Sequence, residues 1–569
     1  MDKKTLLAVI LSVIVMTGGY LIQNKFAPPV PVEENQPEST ETVTTSEVEP
    51  VAALESEVIV SDIVAVDENI PAKEIKVKTN FYDITFNTSG AVISSLILNN
   101  YEDYNTEYPI EMINSIDESY FAFNLNFDNS SDFLTDNFHY EKKGNGVYEF
   151  YRDFQRKNND GSLGNPFRVI KKYTFAENEY LFKIDVTVID SPYRSYALSF
   201  GPDIGPTYKK LDGRNEYRKY YSFSDGKREN HKLKKDTETI NNQVKWASIN
   251  GKYFSLIVIP ENMTSSIRWN KNSVEGYDNS SELFISNSIN SSTTSDSFYV
   301  YAGPKSTDFL KMYDVAENNS FNLSDGKLSE VIDSASIPGL GWLSNILKYI
   351  LIFFHKLIPN YGVAIILLTI LIKVILYPVT HKSMESTGKM QLVQPKLKKL
   401  QEQYKNDPAK LNAATAELYK KEGVNPLGGC LPMLMQMPVF FALYGLLNSY
   451  FGLRGAVFIP GWIDNLSSPE QIFTLPFSIP LLGWTAVRLL PFLYLGTQLV
   501  MSKITQASTP STGQSNSQMK MLTLGMPIMF FFILYDMPSG LLLYWTMTNL
   551  LTAVQQYFIN KSKKKLAAS

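Results

Sequence analysis

A chain of 569 residues with net charge −4, 44% apolar and 19% charged, is long enough for several domains and too weakly charged to be a nucleic-acid binder as a whole, so no DNA partner is expected. Its single cysteine, Cys430, excludes an intramolecular disulfide framework and a cysteine-based zinc site. His139, His231, His355 and His381 lack metal-ligand spacing, so neither a metal nor a cofactor is expected.

These averages hide unlike regions. Lys3 and Lys4 precede an apolar run from Leu6 to Ile22, longer than most signal-peptide cores and without a following A-x-A site. Residues 1–27 are therefore expected to be an uncleaved transmembrane anchor, with the N-terminus cytoplasmic because of its positive flank. Residues 28–72 carry eleven Asp/Glu and no Lys/Arg, which cannot bury enough apolar area to fold and reads as a disordered acidic linker.

From residue 73 to about 335 the period changes to two. KVKTNFYDITFN, FRVIKKYTF, YLFKIDVTVID, YFSLIVIP and DSFYVYAG alternate β-branched or aromatic residues with polar ones between turn residues, which predicts an all-β sandwich. Sandwiches often bind sugars, but no paired carboxylates or His/Glu constellation stands out, so catalysis is not expected here and a folded spacer or docking surface is the plainer reading.

A new regime starts at residue 340. Residues 340–360 place Trp342, Ile346, Tyr349, Ile350 and Phe353 on one helical face, as suits an amphipathic helix in the membrane interface. Then comes YGVAIILLTILIKVILYPVT, Tyr361 to Thr380, an apolar run with one charge, Lys373, roughly 9 Å inside the end marked by Tyr377-Pro378. An ionisable residue at membrane depth is a functional hypothesis by default, while a lysine snorkelling to the headgroups is the alternative; the run alone leaves both open.

Between His381 and Glu422 lie nine lysines and five acidic residues, which places this loop in the cytoplasm. Met390, Val393, Leu397, Leu400 and Tyr404 form a heptad seam, Asp407-Pro408 is a helix start and Gly423 a stop, so residues 381–423 read as a cytoplasmic helical hairpin. Lys396, Lys398 and Lys399 flank the seam residues Leu397 and Leu400; they read either as a solvated face or as a surface for anionic lipid or ribosomal RNA. Asn425 to about Tyr450 is long enough to span, with Pro432 and Pro438 as kinks, Gln436 at membrane depth and Met433, Met435 and Met437 as adaptable filler. A further span is expected to start near Trp484 and to include Arg488, snorkelling outward. Met521 to Tyr535 and Leu541 to Ile559 follow, joined by the turn Asp536 to Gly540. Residues 561–569 are a basic tail. Six spans with both termini cytoplasmic satisfy the positive-inside rule.

NPLGGCLPMLMQMPVFFALY (Asn425–Tyr444), LYPVT (Leu376–Thr380), PSGLLLYW (Pro538–Trp545) and TNLLTAVQQ (Thr548–Gln556) resemble the YidC/Oxa/Alb family of membrane-protein insertases, in the form with a large periplasmic domain. The resemblance implies a polytopic α-helical membrane protein of the bacterial inner membrane, with five core helices over 361–560 around a hydrophilic groove open to cytoplasm and lipid, and an all-β periplasmic β-sandwich. It implies a non-enzymatic insertase and chaperone for nascent membrane proteins, working alone or with the Sec translocon, with ribosome and lipids as further partners. The implied groove residues are Lys373, Thr369, Gln436, Met437, Phe440, Tyr444, Gln498, Tyr544 and Trp545. The family usually has arginine where this chain has Lys373, and a desolvated lysine can lose its proton where arginine cannot. A channel or transporter subunit is the rival from another class; it would require inverted repeats and paired intramembrane charges, which the sequence does not display.

Overall fold

The computed structural model describes residues 62–568 apart from 67–69, 103–107, 114–120, 129, 159, 202–216, 234–236, 263, 265, 275–276, 334–339, 405–406, 425–430, 480–482 and 507–524. The expected anchor at 1–27, most of the acidic segment, Cys430 and the side chains of Met390 and Lys398 lie outside the described residues.

Alternation in the sequence becomes alternation in burial. In Phe167–Phe175, every second side chain from Phe167 onward points into the core, and Val147–Arg156 and Leu181–Ile189 follow the same rule. These three strands are central to an antiparallel ten-stranded sheet that continues through Thr293–Pro304, Phe254–Pro260, Trp246–Asn250, Lys219–Ser224 and Lys227–His231. A four-stranded sheet (Glu74–Lys78, Tyr82–Asn87, Val92–Glu102, Pro109–Glu111) and a five-stranded sheet built around Ser266–Val274 and Tyr277–Ser288 complete the domain. The sheets share one aromatic core. Phe86 of the four-stranded sheet lies 4.9 Å from Tyr173 and 5.3 Å from Phe150 of the large sheet, ring centroid to centroid. Polar ends of core aromatics are satisfied across layers: Tyr82 OH donates to Ala302 O at 2.6 Å and Trp269 Nε1 to Ser248 O at 3.3 Å. The domain closes on Asp333, whose carboxylate accepts from Lys219 Nζ (2.7 Å), Tyr221 OH (2.7 Å) and Tyr217 OH (3.0 Å). Burial alone would raise that carboxyl, but Lys305 and Lys219 hold it well below the ordinary carboxylate range.

Among the described residues seven helices follow: α1 Gly341–Leu357, α2 Tyr361–Gln403, α3 Pro408–Lys421, α4 Leu431–Ser449, α5 Leu490–Gln506, α6 Met526–Leu534 and α7 Ser539–Ala568. Helix α1 buries Ser344, Leu347 and Leu351 and exposes Trp342, Ile346, Tyr349 and Phe353. Asn360 caps α2 by accepting from Val363 N at 3.1 Å.

The expected end of the apolar helix at Tyr377-Pro378 is corrected. Helix α2 runs 43 residues, through Pro378 and Pro395, and forms the first arm of the hairpin without a break. At 1.5 Å per residue it is roughly 65 Å long, about twice the hydrocarbon thickness of a bilayer. Proline removes one backbone hydrogen bond without forbidding the helix, and Thr380 Oγ1 donates to the carbonyls of Leu376 and Tyr377 in the same turn. Helix α3 starts as read: Asp407 accepts from Lys410 N at 3.1 Å, and Gly423, at φ +62°, ends it.

A second correction concerns Trp484 and Arg488. Helix α5 begins at Leu490, with Pro491 in its first turn, and Ala486–Val487 instead pairs with Phe473–Thr474 as a short ribbon. Glu470 Oε1 caps the helix by accepting from Leu490 N at 2.7 Å. Arg488 does not reach outward; it donates to Tyr535 O at 2.9 Å and pairs with Asp536 in the α6–α7 turn. An adjacent carboxylate satisfies a guanidinium better than distant water does. Gly540 opens α7 where a Cβ would stand 2.9 Å from Leu466 O, so only glycine fits that approach.

Among the described residues, Tyr361–Ser383 is the stretch long and apolar enough to cross a membrane, with mean hydropathy 2.5; Leu490–Ser502 is apolar but shorter. The two halves of the chain touch at the turn after α4. Phe451 packs against Tyr101 (5.4 Å) and Phe254 (5.9 Å), Arg454 lies over Phe254, and Lys252 Nζ donates to Ser467 O at 3.2 Å.

Candidate functional site

The helical core is assembled around α7, because three other helices send polar side chains to it. On α7, Tyr544, Thr548, Thr552 and Gln555 follow at intervals of four, four and three, which stacks them on one face over roughly 16 Å. Trp545 and Asn549 stand on the adjoining strip.

Lys373, half-buried on α2, donates from Nζ to Thr552 Oγ1 at 2.7 Å. The Thr552 hydroxyl proton goes to Thr548 O at 2.6 Å, which leaves its lone pairs for the ammonium. Thus the cation meets a neutral dipole, and among the described residues no carboxylate pairs with it. One turn earlier Thr369 is fully buried and donates from Oγ1 to Ile365 O at 2.7 Å, so its hydroxyl serves its own helix. Further along, Gln555 Nε2 donates to Thr380 Oγ1 at 3.3 Å. Residue numbers rise together in the Lys373–Thr552 and Thr380–Gln555 contacts, so α2 and α7 run in the same direction.

Gln436 on α4 donates from Nε2 to Tyr544 OH at 3.2 Å, and Tyr544 is buried. Phe440, one turn on, packs against Trp545 with centroids 4.4 Å apart and the rings tilted by 32°, and Tyr444 lies 6.4 Å from Phe440. Trp545 also meets Tyr494 of α5 and Phe530 of α6. Met437 is half-buried on α4. From α5, Gln498 Oε1 accepts from Asn549 Nδ2 at 2.8 Å. Lys373 and Gln436 thus engage α7 eight residues apart, roughly 12 Å along its axis.

Sequence reading missed Thr548, Thr552, Asn549, Gln555 and Thr380 as individual contributors. Their signal was present: polar residues every three or four positions in an otherwise apolar helix mark one face. It missed Asp536 as the partner of Arg488 because that pairing spans 48 residues.

In the hairpin, Leu397 is buried and Leu400 half-buried, which supports the seam. Lys399 is exposed, and Lys396 Nζ reaches Glu422 Oε1 at 2.7 Å across to the end of α3.

A β-sheet domain joined to a helical core with a polar seam defines the class in which known relatives fall. The family model described as 60Kd inner membrane protein matches residues 353–566, and that described as YidC periplasmic domain matches residues 74–351. The chain is therefore an inner-membrane protein with a periplasmic β-sheet domain. "Membrane protein insertase YidC" of Treponema denticola is 38% identical over 99% of this chain and 100% of its own length; that of Treponema pallidum is 33% identical over the same shares. A crystal structure of an active YidC insertase, 18% identical, aligns over 87% of this chain and 94% of its own with TM-score 0.35. The chain belongs to the YidC membrane protein insertase family, a non-enzymatic family whose substrates are nascent membrane proteins.

Proposed function

We propose that insertion proceeds through a hydrophilic groove bounded by α2, α4, α5 and α7, with Lys373, Thr369, Gln436, Met437, Phe440, Tyr444, Gln498, Tyr544 and Trp545 as its functional residues. Lys373 and the amides and hydroxyls along α7 hydrate the groove and attract the acidic or polar segment of a client, while the client's apolar segment passes sideways into lipid. Gln436, Phe440 and Trp545 form the amphipathic wall along which it slides. The observation that carries this reading is Lys373 itself: on a helix apolar enough to span, its hydrogen bond among the described residues goes to a neutral hydroxyl. A cation without a counterion keeps its attraction for an incoming negative charge.

The chain-level arrangement we propose is six spans with both termini cytoplasmic: the anchor at 1–27, the acidic linker at 28–72, a periplasmic β-sandwich over 73–335, the interfacial helix at 340–360, five core spans within 361–560 and the basic tail at 561–569. The parallel course of α2 and α7 supports it, since both then cross from outside to inside. The hairpin at 381–423, with Lys396, Lys398, Lys399, Leu397 and Leu400, together with the tail, meets the ribosome and lipid headgroups, and the Sec translocon assists with clients beyond the groove alone.

Photocrosslinking to stalled nascent chains tests the groove. Probes replacing Gln436 and Phe440 are expected to capture the client's first apolar segment, whereas a probe at Val457, in the loop after α4, captures none. Equal yields at all three positions would exclude a defined groove.

A further inference from the structure

Between Glu470 and Arg488 the sequence holds no charged residue, and at its centre is the two-stranded ribbon that pairs Phe473–Thr474 with Ala486–Val487. Backbone bonds extend the pairing: Ile472 N donates to Val487 O at 2.9 Å, Leu475 N to Thr485 O at 2.7 Å and Ile479 N to Trp484 O at 2.8 Å. No third strand joins it among the described residues, and Ile472, Phe473 and Phe477 are left exposed, the two phenylalanines by 53% and 60%. In water an uncharged two-stranded ribbon with bare aromatic rings is marginally stable and a template for aggregation.

The ribbon is held against the helices. Trp484 stacks on Tyr535 with centroids 3.6 Å apart and reaches Phe531 and Phe532 at 6.1 and 5.7 Å, which sets it level with the last turn of α6. Its base is fixed from both flanks, by Glu470 at the start of α5 and by Arg488 on Asp536. Phe532, which Trp484 touches, is itself exposed, and so are Leu489 and Phe492 at the start of α5, so bare apolar side chains gather where the ribbon, α5 and α6 adjoin. Helix α5 is also short of apolar length: Leu490–Ser502 covers about 20 Å, roughly 10 Å less than the hydrocarbon thickness of a bilayer.

We propose that this ribbon is seated in the membrane, with Ile472, Phe473 and Phe477 among the acyl chains of the outer leaflet. This rests on the topology proposed above, in which the loop after α4 lies outside. A segment without charge offers nothing to a charged partner, whereas aromatic and branched side chains partition into the interface. The depth follows from the backbone. Both strands are edges, and unpaired N–H and C=O groups are not tolerated in hydrocarbon, so the strands stay at the headgroups while the rings dip inward. Seated there, the ribbon adds apolar surface where α5 runs out, which relieves the mismatch of a short span.

Full-length chains carrying Cys430→Ser and one new cysteine are spin-labelled and placed in nanodiscs of phosphatidylethanolamine and phosphatidylglycerol, where oxygen concentrates in lipid and a nickel chelate stays in water. A label at Phe477→Cys is expected to be open to oxygen and several-fold less open to the chelate than one at Lys227→Cys, an exposed position of the β-sheet domain. Phe473→Asp is expected to lift the ribbon and restore chelate access at 477; Ile472→Asp takes its place should the first variant melt differently. Chelate access at 477 equal to that at 227 would put the ribbon in water, and shielding from both probes would put it against protein, a second copy or a client. Either result overturns the proposal, as does indifference to the aspartate variants. The side of the membrane is read separately: protection of Asp464→Cys from an impermeant maleimide in spheroplasts would overturn the topology, and with it the choice of leaflet.

Discussion

Lys171 in the β-sheet domain and Lys373 in the helical core are both withdrawn from solvent, and their surroundings differ. Lys171, on a central strand of the β-sheet domain, is fully buried and donates to Gly90 O and Phe123 O, each at 2.7 Å, with the Phe138 ring 5.9 Å away. It ties the large sheet to two loops of the opposite layer. Burial pushes its ammonium down to about 7, since two carbonyl dipoles replace only part of the lost hydration. Lys373 is half-buried, and its described partner is one side-chain hydroxyl on another helix. Fixed backbone acceptors make a strut; a single neutral side-chain acceptor constrains the ammonium less, as the proposed groove role of Lys373 requires.

The largest effect that would break this contrast is on the strut. Lys171→Ala leaves a cavity and strands two buried carbonyls, so the β-sheet domain is expected to lose about 4 kcal/mol of stability, read as a lower denaturation midpoint of the full-length protein. A change within the noise of the measurement would show that the buried lysine ties nothing together.

The second effect is a pH dependence. In the folded chain Lys171 loses its proton near 7, whereas an unfolded lysine does so near 10.5. Between those values the unfolded chain binds more protons, so stability contributed by this group rises with pH across about 7 to 10.5 and is flat below. The difference between wild type and Lys171→Met, which keeps the length without the charge, isolates it: wild type is expected to gain on the order of 5 kcal/mol relative to the variant across that window. Parallel pH profiles for the two proteins would remove the desolvated lysine from the account.

Lys373→Ala should reverse the pattern, leaving stability within about 1 kcal/mol of wild type while function falls. At an effective dielectric near 20, two charges about 10 Å apart attract by about 1.5 kcal/mol, so translocation of a client tail bearing one acidic residue is expected to drop about tenfold in reconstituted vesicles. Lys373→Arg should retain it, and an uncharged tail should respond little. A flat response to tail charge in wild type, with alanine indistinguishable, would leave Lys373 as a snorkelling lysine.

How much of this was legible depends on range. The strands FRVIKKYTF and YFSLIVIP were read nearly to the residue because alternation is local. The same alternation puts Lys171 in phase with Phe167, Val169, Tyr173 and Phe175, so its burial could have been read from the pattern as well. Pro378 reads as the end of helix α2 because proline is a strong breaker in water, where solvent competes for the freed Val374 carbonyl; within an apolar run that competition is weak and the helix continues. The candidate groove residues are carried by motif resemblance, yet Thr552, the partner of Lys373, lies 179 residues away and Asn549, the partner of Gln498, lies 51 away, and no local period encodes such pairings.

A third lysine sharpens the comparison by standing at its solvated end. Lys396 Nζ meets Glu422 Oε1 at 2.7 Å, with the two side chains 59% and 27% exposed. Its geometry is that of a good ion pair, and by distance alone it would rank with the Lys171 contacts. Water decides otherwise: an exposed pair spends side-chain entropy to hold its geometry and is screened by salt, so the net gain is about 0.5 kcal/mol or less. Lys396→Ala is therefore expected to shift the melting of the hairpin barely, and less at high salt than at low. Hydrogen exchange of the Val393–Leu400 amides measures it directly, since those amides report the opening of α2 against α3. Protection lost to the same extent as in Lys171→Ala within its own domain would mean that contact distance, and not burial, ranks the lysines of this chain.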